Sequence, residues 1–342
     1  MTGVWVFGAS GYSGMELCRW LARHPSRLLG VSGAKSAGTP LLELVPDAGV
    51  DLEIAHHADL LRQAEAGQVA FLATPAETSM QLAEPLWARG VWVIDLSGAF
   101  RLPASVYPEW YGFEHTAPHL LDEAHYGLCE WMPPSPPAEG GRRLVANPGC
   151  YATAATLAVA PLVREGLIRG PIFVDGKSGT TGAGKKAAEH LLFSEAAESL
   201  GPYRVGRHQH TPEIERALAV LSGRSWTVQF VPHLVPQRRG LLTTAYAAAH
   251  EGTTQAEVDA AFARAYGGHP LVEIRDPDRL ATGRYRERPG CGVGARFDPR
   301  TGSVVAVGAL DNLLKGAASQ ALQNLNHLWG LPAETGLWKS AR

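Results

Sequence analysis

Cys150 stands in NPGCY, directly after a Pro-Gly turn and at the start of an Ala-rich stretch, residues 151–165, that reads as a helix. Backbone N–H groups and the dipole at a helix N-terminus stabilise the thiolate, the form of cysteine that attacks a carbonyl. Most cysteines are packing residues. Cys18, inside the first expected helix, Cys129 in YGLCEW and Cys291 in PGCGVG, read as a Gly-rich turn, lack the setting of Cys150. The second group is the histidine pair of HQHTPEIE. An imidazole titrates near neutrality and can serve an oxygen that gains charge in a reaction, so His208 and His210 are candidate acid/base groups. Thr211 reads as an N-cap and Pro212 as the first helical residue, which leaves both histidines on one face of an extended segment. His208, His210 and Glu213 also have the composition of a zinc ligand set, and two ordinary surface histidines are the third reading.

Cations bordered by Gly and Pro can grip phosphate or carboxylate: Lys185 and Lys186 in SGTTGAGKK, Arg207 beside the histidines, and Arg238 and Arg239 in PHLVPQRRG. The Gly-rich residues 178–184 offer backbone amides to an anion or a cofactor, with Gly179 the expected cofactor contact. Near the start, an apolar run, residues 4–7, leads straight into GASGYSG, with Gly8, Gly11 and Gly14 three apart and a helix following. Such a turn brings backbone N–H groups and a helix N-terminus against a pyrophosphate. Ser10, Tyr12 and Ser13 share that loop. After the second apolar run, residues 28–32, a 2′-hydroxyl reader would be acidic, yet Gly33, Ala34, Lys35, Ser36 and Ala37 follow. Lysine and serine suit a 2′-phosphate, so the expected cofactor is NADP(H), with Thr74 and Ser97, after later strands, completing its site.

These residues need a frame. At 342 residues, 45% hydrophobic and 19% charged, the chain can bury two cores. Apolar runs alternate with helical stretches through the first third: strands at 4–7, 28–32, 69–73 and 91–96, helices at 12–23 and 78–89. That is an α/β pattern, a Rossmann-like doubly wound parallel sheet with helices on both faces. Residues 132–143, MPPSPPAEGGRR, read as an exposed loop. Later come a strand at 172–175, a helix near 185–200, strands at 226–231, 241–249, 271–275 and 303–310, and a helix from Thr254 with a Thr254/Glu257 capping box. That second part reads as α+β on a largely antiparallel sheet. A last helix spans 313–329. The expected domains are 1–149, completed by the C-terminal segment 312–342, and 150–311.

A formal net charge of −2 gives no whole-chain attraction to nucleic acid or an anionic membrane, and no apolar run is long enough to span one. Four cysteines without metal or disulfide spacing fit a reducing cytoplasm.

Taken in order, GASGYSG, DLSGAFRL, NPGCY, SGTTGAGKK, HQHTPEIE, PHLVPQRRG and DNLLKGAASQALQNLN resemble the N-acetyl-γ-glutamyl-phosphate reductase family, across essentially the whole chain. The resemblance implies an NADPH-dependent reduction of an N-blocked acyl phosphate to its semialdehyde in arginine biosynthesis. A sister branch acts on aminoadipyl phosphate held on a small acidic carrier protein in lysine biosynthesis. It implies Cys150 as nucleophile, His208 as acid/base, His210, Glu213, Arg207, Lys185 and Arg239 around the substrate, Asn312 near the nicotinamide, and a homodimer or homotetramer. Two positions depart from the family pattern: Ala99 where aspartate is usual in DLSxDFRL, and Cys129 where proline is usual in YGLPE. The rivals are an aspartate-semialdehyde dehydrogenase and a non-catalytic NADP-binding regulator.

Overall fold

In the computed structural model, residues 3–136, 138 and 141–337 are described; part of the expected loop at 132–143 and the end of the expected segment 312–342 lie outside them. The chain divides into two compact units, Met1–Gly149 with Ala317–Arg342, and Cys150–Gly316.

The first unit carries β1 (Gly3–Phe7), β2 (Arg27–Ser32), β3 (Ile54–Ala55), β4 (Val69–Leu72), β5 (Trp92–Asp95), β6 (Ala124–Tyr126) and β7 (Leu144–Ala146) in the order β3-β2-β1-β4-β5-β7-β6. Every pair is parallel. Strands β1, β4 and β7 are buried at every residue, as a sheet covered on both faces requires. Helix α1 (Tyr12–Leu21) follows β1, and α2 (Ala76–Ala88) joins β4 to β5. This is the doubly wound class the sequence predicts.

In the second unit, α3 (Cys150–Arg164) leads into β8 (Ile168–Gly179), then β9 (Gly201–Pro202), α4 (His210–Ser222), β10 (Val228–Val235), β11 (Leu241–Ala249), α5 (Gln255–Tyr266), β12 (Val272–Ile274), β13 (Cys291–Asp298) and β14 (Ser303–Leu310). The sheet order is β12-β13-β14-β11-β8-β10-β9, with β8–β10 and β12–β13 parallel and the other pairs antiparallel. The expected capping box of α5 is present on Thr254 and Glu257. Helix α3 is buried from Tyr151 to Val163, so the Ala-rich stretch is a core helix whose small side chains let the sheet approach.

Two readings need correction. Cys291 opens strand β13 rather than lying in a turn. Its glycines serve close packing: a Cβ on Gly292 would meet the Tyr285 hydroxyl, and one on Gly294 the carbonyl of Arg275. The helix expected near 185–200 is reduced to a 3-10 turn, Glu189–Leu191, and the four residues Phe193–Ala196. Its apolar side chains find no core, and Leu192 and Phe193 are 53% and 88% exposed.

The chain returns to the first unit through α6 (Ser319–Leu328), which packs on α1 and β5. The helix buries Gln320, Gln323, Asn324 and Asn326, and each polar side chain bonds outward. Gln320 Nε2 and Asn324 Nδ2 both donate to the Gly127 carbonyl, at 3.0 Å each, and Asn324 Nδ2 also to Asn147 Oδ1 at 3.0 Å. Cys129 Sγ donates to Asn324 Oδ1 at 3.1 Å, so the departure at 129 adds a thiol to this network. Ala99, the other departure, is fully buried in the core beside Phe100.

Candidate active site

In the first unit the loop after β1 shows the three glycine roles of a dinucleotide cradle. Gly8 has φ +88°, and a Cβ there would lie 2.4 Å from the Ala73 carbonyl oxygen. A Cβ on Gly14 would lie 2.1 Å from the Gly8 oxygen, so helix and strand pack closer than any side chain allows. Gly11 has room, with its nearest neighbour at 3.5 Å, and leaves the backbone open. Helix α1 starts at this loop with Gly11 as N-cap, no side-chain cap and no acidic residue in its first turn. That is an N-terminus fit for an anion; Tyr12 and Ser13 begin it.

Beyond β2, Lys35 is exposed and Ala37 half-buried. A Cβ on Gly33 would touch Ser36 Oγ at 2.3 Å and Ser10 Oγ at 3.2 Å, so the two hydroxyls converge there. Ser36 Oγ is buried and has no hydrogen-bond partner among the described residues. A buried orphan hydroxyl and a nearby lysine fit a 2′-phosphate. Thr74 and Ser97 lie just beyond β4 and β5 but carry local bonds: Thr74 Oγ1 pairs with Ser79 Oγ at 2.8 Å, and Ser97 Oγ donates to Asp95 Oδ2 at 2.8 Å. Burial holds the Asp95 carboxyl above its ordinary pKa, with the Ser97 hydroxyl opposing. Arg101, which the motif reading passed over, donates from Nε to the Asn147 carbonyl at 2.9 Å and from Nη2 to that of Leu96 at 2.9 Å. It fixes the strand end from which NPGC leaves.

In the second unit Cys150 is the first residue of α3 and is half-buried, whereas Cys18, Cys129 and Cys291 are buried; all four are free thiols. Burial pushes the Cys18 thiol up to about 12. Gly316 makes room for Cys150, since a Cβ there would lie 2.6 Å from Cys150 Cβ. This requirement was legible only as one glycine in DNLLKG.

Beside Cys150, Tyr151 is buried and donates its hydroxyl to the His233 carbonyl at 3.0 Å. Its ring stands perpendicular to His208 at 5.9 Å between centroids. Tyr203, Phe230 and His210 close the wall around His208 at 5.6, 5.2 and 4.7 Å. Tyr203 and Phe230 carry no sequence signal.

The histidines are not side by side on an extended segment. Helix α4 begins at His210, and the His210 N–H donates to His208 Nδ1 at 3.1 Å. The N-cap is Gln209, without a side-chain cap, so Thr211 lies inside the first turn instead of capping it. Burial, with the charges of His210 and Arg204 adding to it against Glu213, pulls His208 down to about 2. His210 Nε2 lies 3.9 Å from Glu213 Oε2, both buried. With His208 Nδ1 turned to its own backbone, the zinc reading loses its geometry: no three His, Cys, Asp or Glu groups converge among the described residues.

Three other candidates are engaged structurally. Arg239, buried, donates from Nη2 to Asp311 Oδ1 at 2.9 Å, while Asp311 accepts from the backbone of Leu313, Leu314 and Glu287. Asn312 donates to Thr181 Oγ1 and accepts from the Gly240 N–H, 2.9 Å each, bracing two loops of its own unit. A Cβ on Gly179 would lie 2.7 Å from the Arg238 carbonyl oxygen, which explains that glycine by packing. Lys185 and Arg207 are exposed. A cavity of about 780 Å³ is lined by Lys186, Arg204, Tyr203, His208 and Gln209 among others.

Fold and site geometry define the semialdehyde dehydrogenase class. Residues 3–135 match the semialdehyde dehydrogenase NAD binding domain, and residues 150–312 the semialdehyde dehydrogenase dimerisation domain. The fold is shared with aspartate semialdehyde dehydrogenase II of Vibrio cholerae, at TM-score 0.74 and 18% identity, covering 96% of this chain and 98% of that one. Within the class, the chain is 43% identical to N-acetyl-gamma-glutamyl-phosphate reductase of Thermus thermophilus over 98% of both chains. It is 42% identical to the reductase of the same name from Symbiobacterium thermophilum, over 98% of this chain and 97% of that one. The chain belongs to the N-acetyl-γ-glutamyl-phosphate reductase family. No helix among the described residues is long and apolar enough to cross a membrane.

Proposed function

We propose that the chain reduces N-acetyl-γ-glutamyl phosphate to its semialdehyde with NADPH, through a thioester on Cys150, as a step of cytoplasmic arginine biosynthesis. The observation that carries this is the setting of Cys150. It is the half-buried first residue of a core helix, with Gly316 cleared beside it and His208 edge-on to the next residue. On this reading the first unit is the NADP-binding domain. The second is the catalytic and oligomerisation domain of a homodimer or homotetramer.

Gly8, Ser10, Gly11, Tyr12, Ser13, Gly14, Lys35, Ser36 and Ala37 would hold the cofactor, with the open N-terminus of α1 toward the pyrophosphate and Ser36 toward the 2′-phosphate. When bound, NADPH supplies the hydride. The Cys150 thiolate attacks the acyl carbon, the C–O bond to phosphate breaks, and a thioester remains, more electrophilic than an ester. His208 serves the carbonyl oxygen each time charge develops on it. Lys185, Lys186 and Arg207, on exposed loops, meet the anionic substrate. Arg239 and Asn312 act behind them as positioning residues.

The test is phosphate-dependent NADP⁺ reduction in the reverse direction, comparing N-acetylglutamate semialdehyde with carrier-linked aminoadipate semialdehyde. Turnover with the first and not the second is expected. Preference for the second would move the chain to the carrier-protein branch, and tight NADPH binding without turnover would favour the regulator reading.

A further inference from the structure

We propose that Asp311 is a positioning residue for Cys150: it fixes the turn whose Gly316 rests against Cys150, and through Asn312 the same turn sets the rim of the cavity beside His208. The inference rests on the reading of Cys150 as the nucleophile and adds what holds that residue in place.

The carboxyl group of Asp311 is fully buried and gathers three separate pieces of its unit. From its own segment, the Leu313 and Leu314 N–H groups donate to Oδ1 at 2.8 and 3.1 Å. From the stretch between β12 and β13, the Glu287 N–H donates to Oδ2 at 2.7 Å. From the turn between β10 and β11, the buried Arg239 donates to Oδ1 from Nη2 at 2.9 Å and from Nε at 3.3 Å. The Asp311 carbonyl accepts from the Leu314 and Gly316 N–H groups at 3.2 and 3.0 Å. A π-helical turn, Leu314–Ala318, is thus held at its start by both the side chain and the main chain of one residue.

That turn leads to Cys150. A Cβ on Gly316 would lie 2.6 Å from Cys150 Cβ and 3.1 Å from its Cα, so the backbone at 316 lies against the residue that opens α3. In the other direction, Asn312 donates to Thr181 Oγ1 and accepts from the Gly240 N–H, at 2.9 Å each. Thr181 Oγ1 donates onward to the Arg238 carbonyl at 2.6 Å. The next residues, Gly182 and Ala183, line the cavity that His208 also lines. One short segment therefore reaches both Cys150 and the rim of that cavity.

Stability alone does not call for this arrangement. A buried ion pair recovers its desolvation cost only with good geometry and added hydrogen bonds, and apolar residues of similar volume often serve a fold as well. What the pair supplies is definition: a carboxylate with fixed donors on both oxygens allows one course of the backbone through 311–316. The reaction needs that definition, since a misplacement of about 1 Å costs about 10²-fold in rate. Single π-helical turns recur at functional sites.

The test is a double-mutant cycle in the whole chain with Asp311→Asn and Gly316→Ala. Asparagine keeps the shape but must turn an N–H₂ group toward donors on one side, and alanine sets a methyl against Cys150. Phosphate-dependent kcat, per Cys150 thiol titrated, is expected to fall about 30–100-fold in each single variant with KM within about threefold. The double variant is expected within about threefold of the slower single one, because both act through the same turn. Iodoacetamide alkylation of Cys150 should follow the same pattern, slowing about three- to tenfold, while the NADPH Kd stays within about twofold. Losses that multiply in the double variant would overturn the proposal. So would an Asp311→Asn chain that is less stable yet turns over at the wild-type rate per titrated thiol. If Asp311→Asn does not fold, Asp311→Ser, which keeps an acceptor for Leu313 and Leu314, takes its place in the cycle. Wild-type chain without turnover would sink the substrate reading alone, and the alkylation cycle, which needs no substrate, then decides.

Discussion

Two helix N-termini in this molecule are used in opposite ways. That of α1 has a glycine, Gly11, as its cap, with no side-chain cap bond and no acid in its first turn among the described residues. That of α4 is closed from within, its first amide given to the imidazole of His208. An open terminus attracts a ligand's charge; a closed one spends the same dipole on the ionisation state of a side chain. The first is a property of backbone, written in glycine spacing. The second is a property of one side chain's surroundings.

The comparison predicts where substitutions separate binding from chemistry. The largest effect belongs to Cys150→Ala, which should lower turnover by about 10⁴-fold or more while NADPH affinity, read by fluorescence titration, stays within twofold. Loss of binding in that variant would mean damage to the fold. Next, Gly8→Ala forces a side chain into positive φ and against a carbonyl oxygen; it should weaken NADPH binding about 100-fold and leave Cys150 alkylation unchanged. Equal losses in both would show that the two regions do not act separately.

Asn324→Ala strips bonds from Gly127 O and Asn147 Oδ1 in a buried network and should cost about 1–3 kcal/mol in denaturant unfolding. Ser36→Ala should narrow the preference for NADPH over NADH by about tenfold through the Kd ratio, and an unchanged ratio would remove Ser36 from the 2′-phosphate site.

The smallest effect is a pH dependence. Burial lowers His24, His57, His115 and His208 from the ordinary 6.5. Below pH 6.5 the unfolded chain binds protons that the folded chain refuses, so this stability is complete above 6.5 and is lost as pH falls. The unfolding temperature should drop by about 2–4 °C or more between pH 7.5 and pH 5.5; a rise would overturn the assignment.

What the sequence carried was local. The glycines at 8, 11 and 14, the helix start at Cys150 and the capping box at Thr254 each depend on a few adjacent residues. The start of α4 was missed because Thr211 and Pro212 read as a cap and a first helical residue, whereas the helix already begins at His210 with Gln209 as its N-cap. Strand β13 was missed because Gly292 and Gly294 look like a turn until Tyr285, at the end of a short helix, and Arg275, just past β12, are seen to need the space. Arg239 looked like a free cation because its partner Asp311 lies 72 residues away. The exposed segment around Phe193 has helical composition but no surface to fold against.

The return of α6 to the first sheet has a consequence for how the protein is made. When a ribosome has released residues 3–149, the side chains that bond Gly127 and Asn147 do not yet exist. At about 5–20 residues per second, roughly ten to thirty seconds pass before Asn324 is joined to the chain. Through that interval the nascent dinucleotide sheet waits with polar groups unsatisfied, while the segment that follows it is synthesised in one continuous piece. Birth order and completion order are therefore reversed: the half begun first is the half finished last.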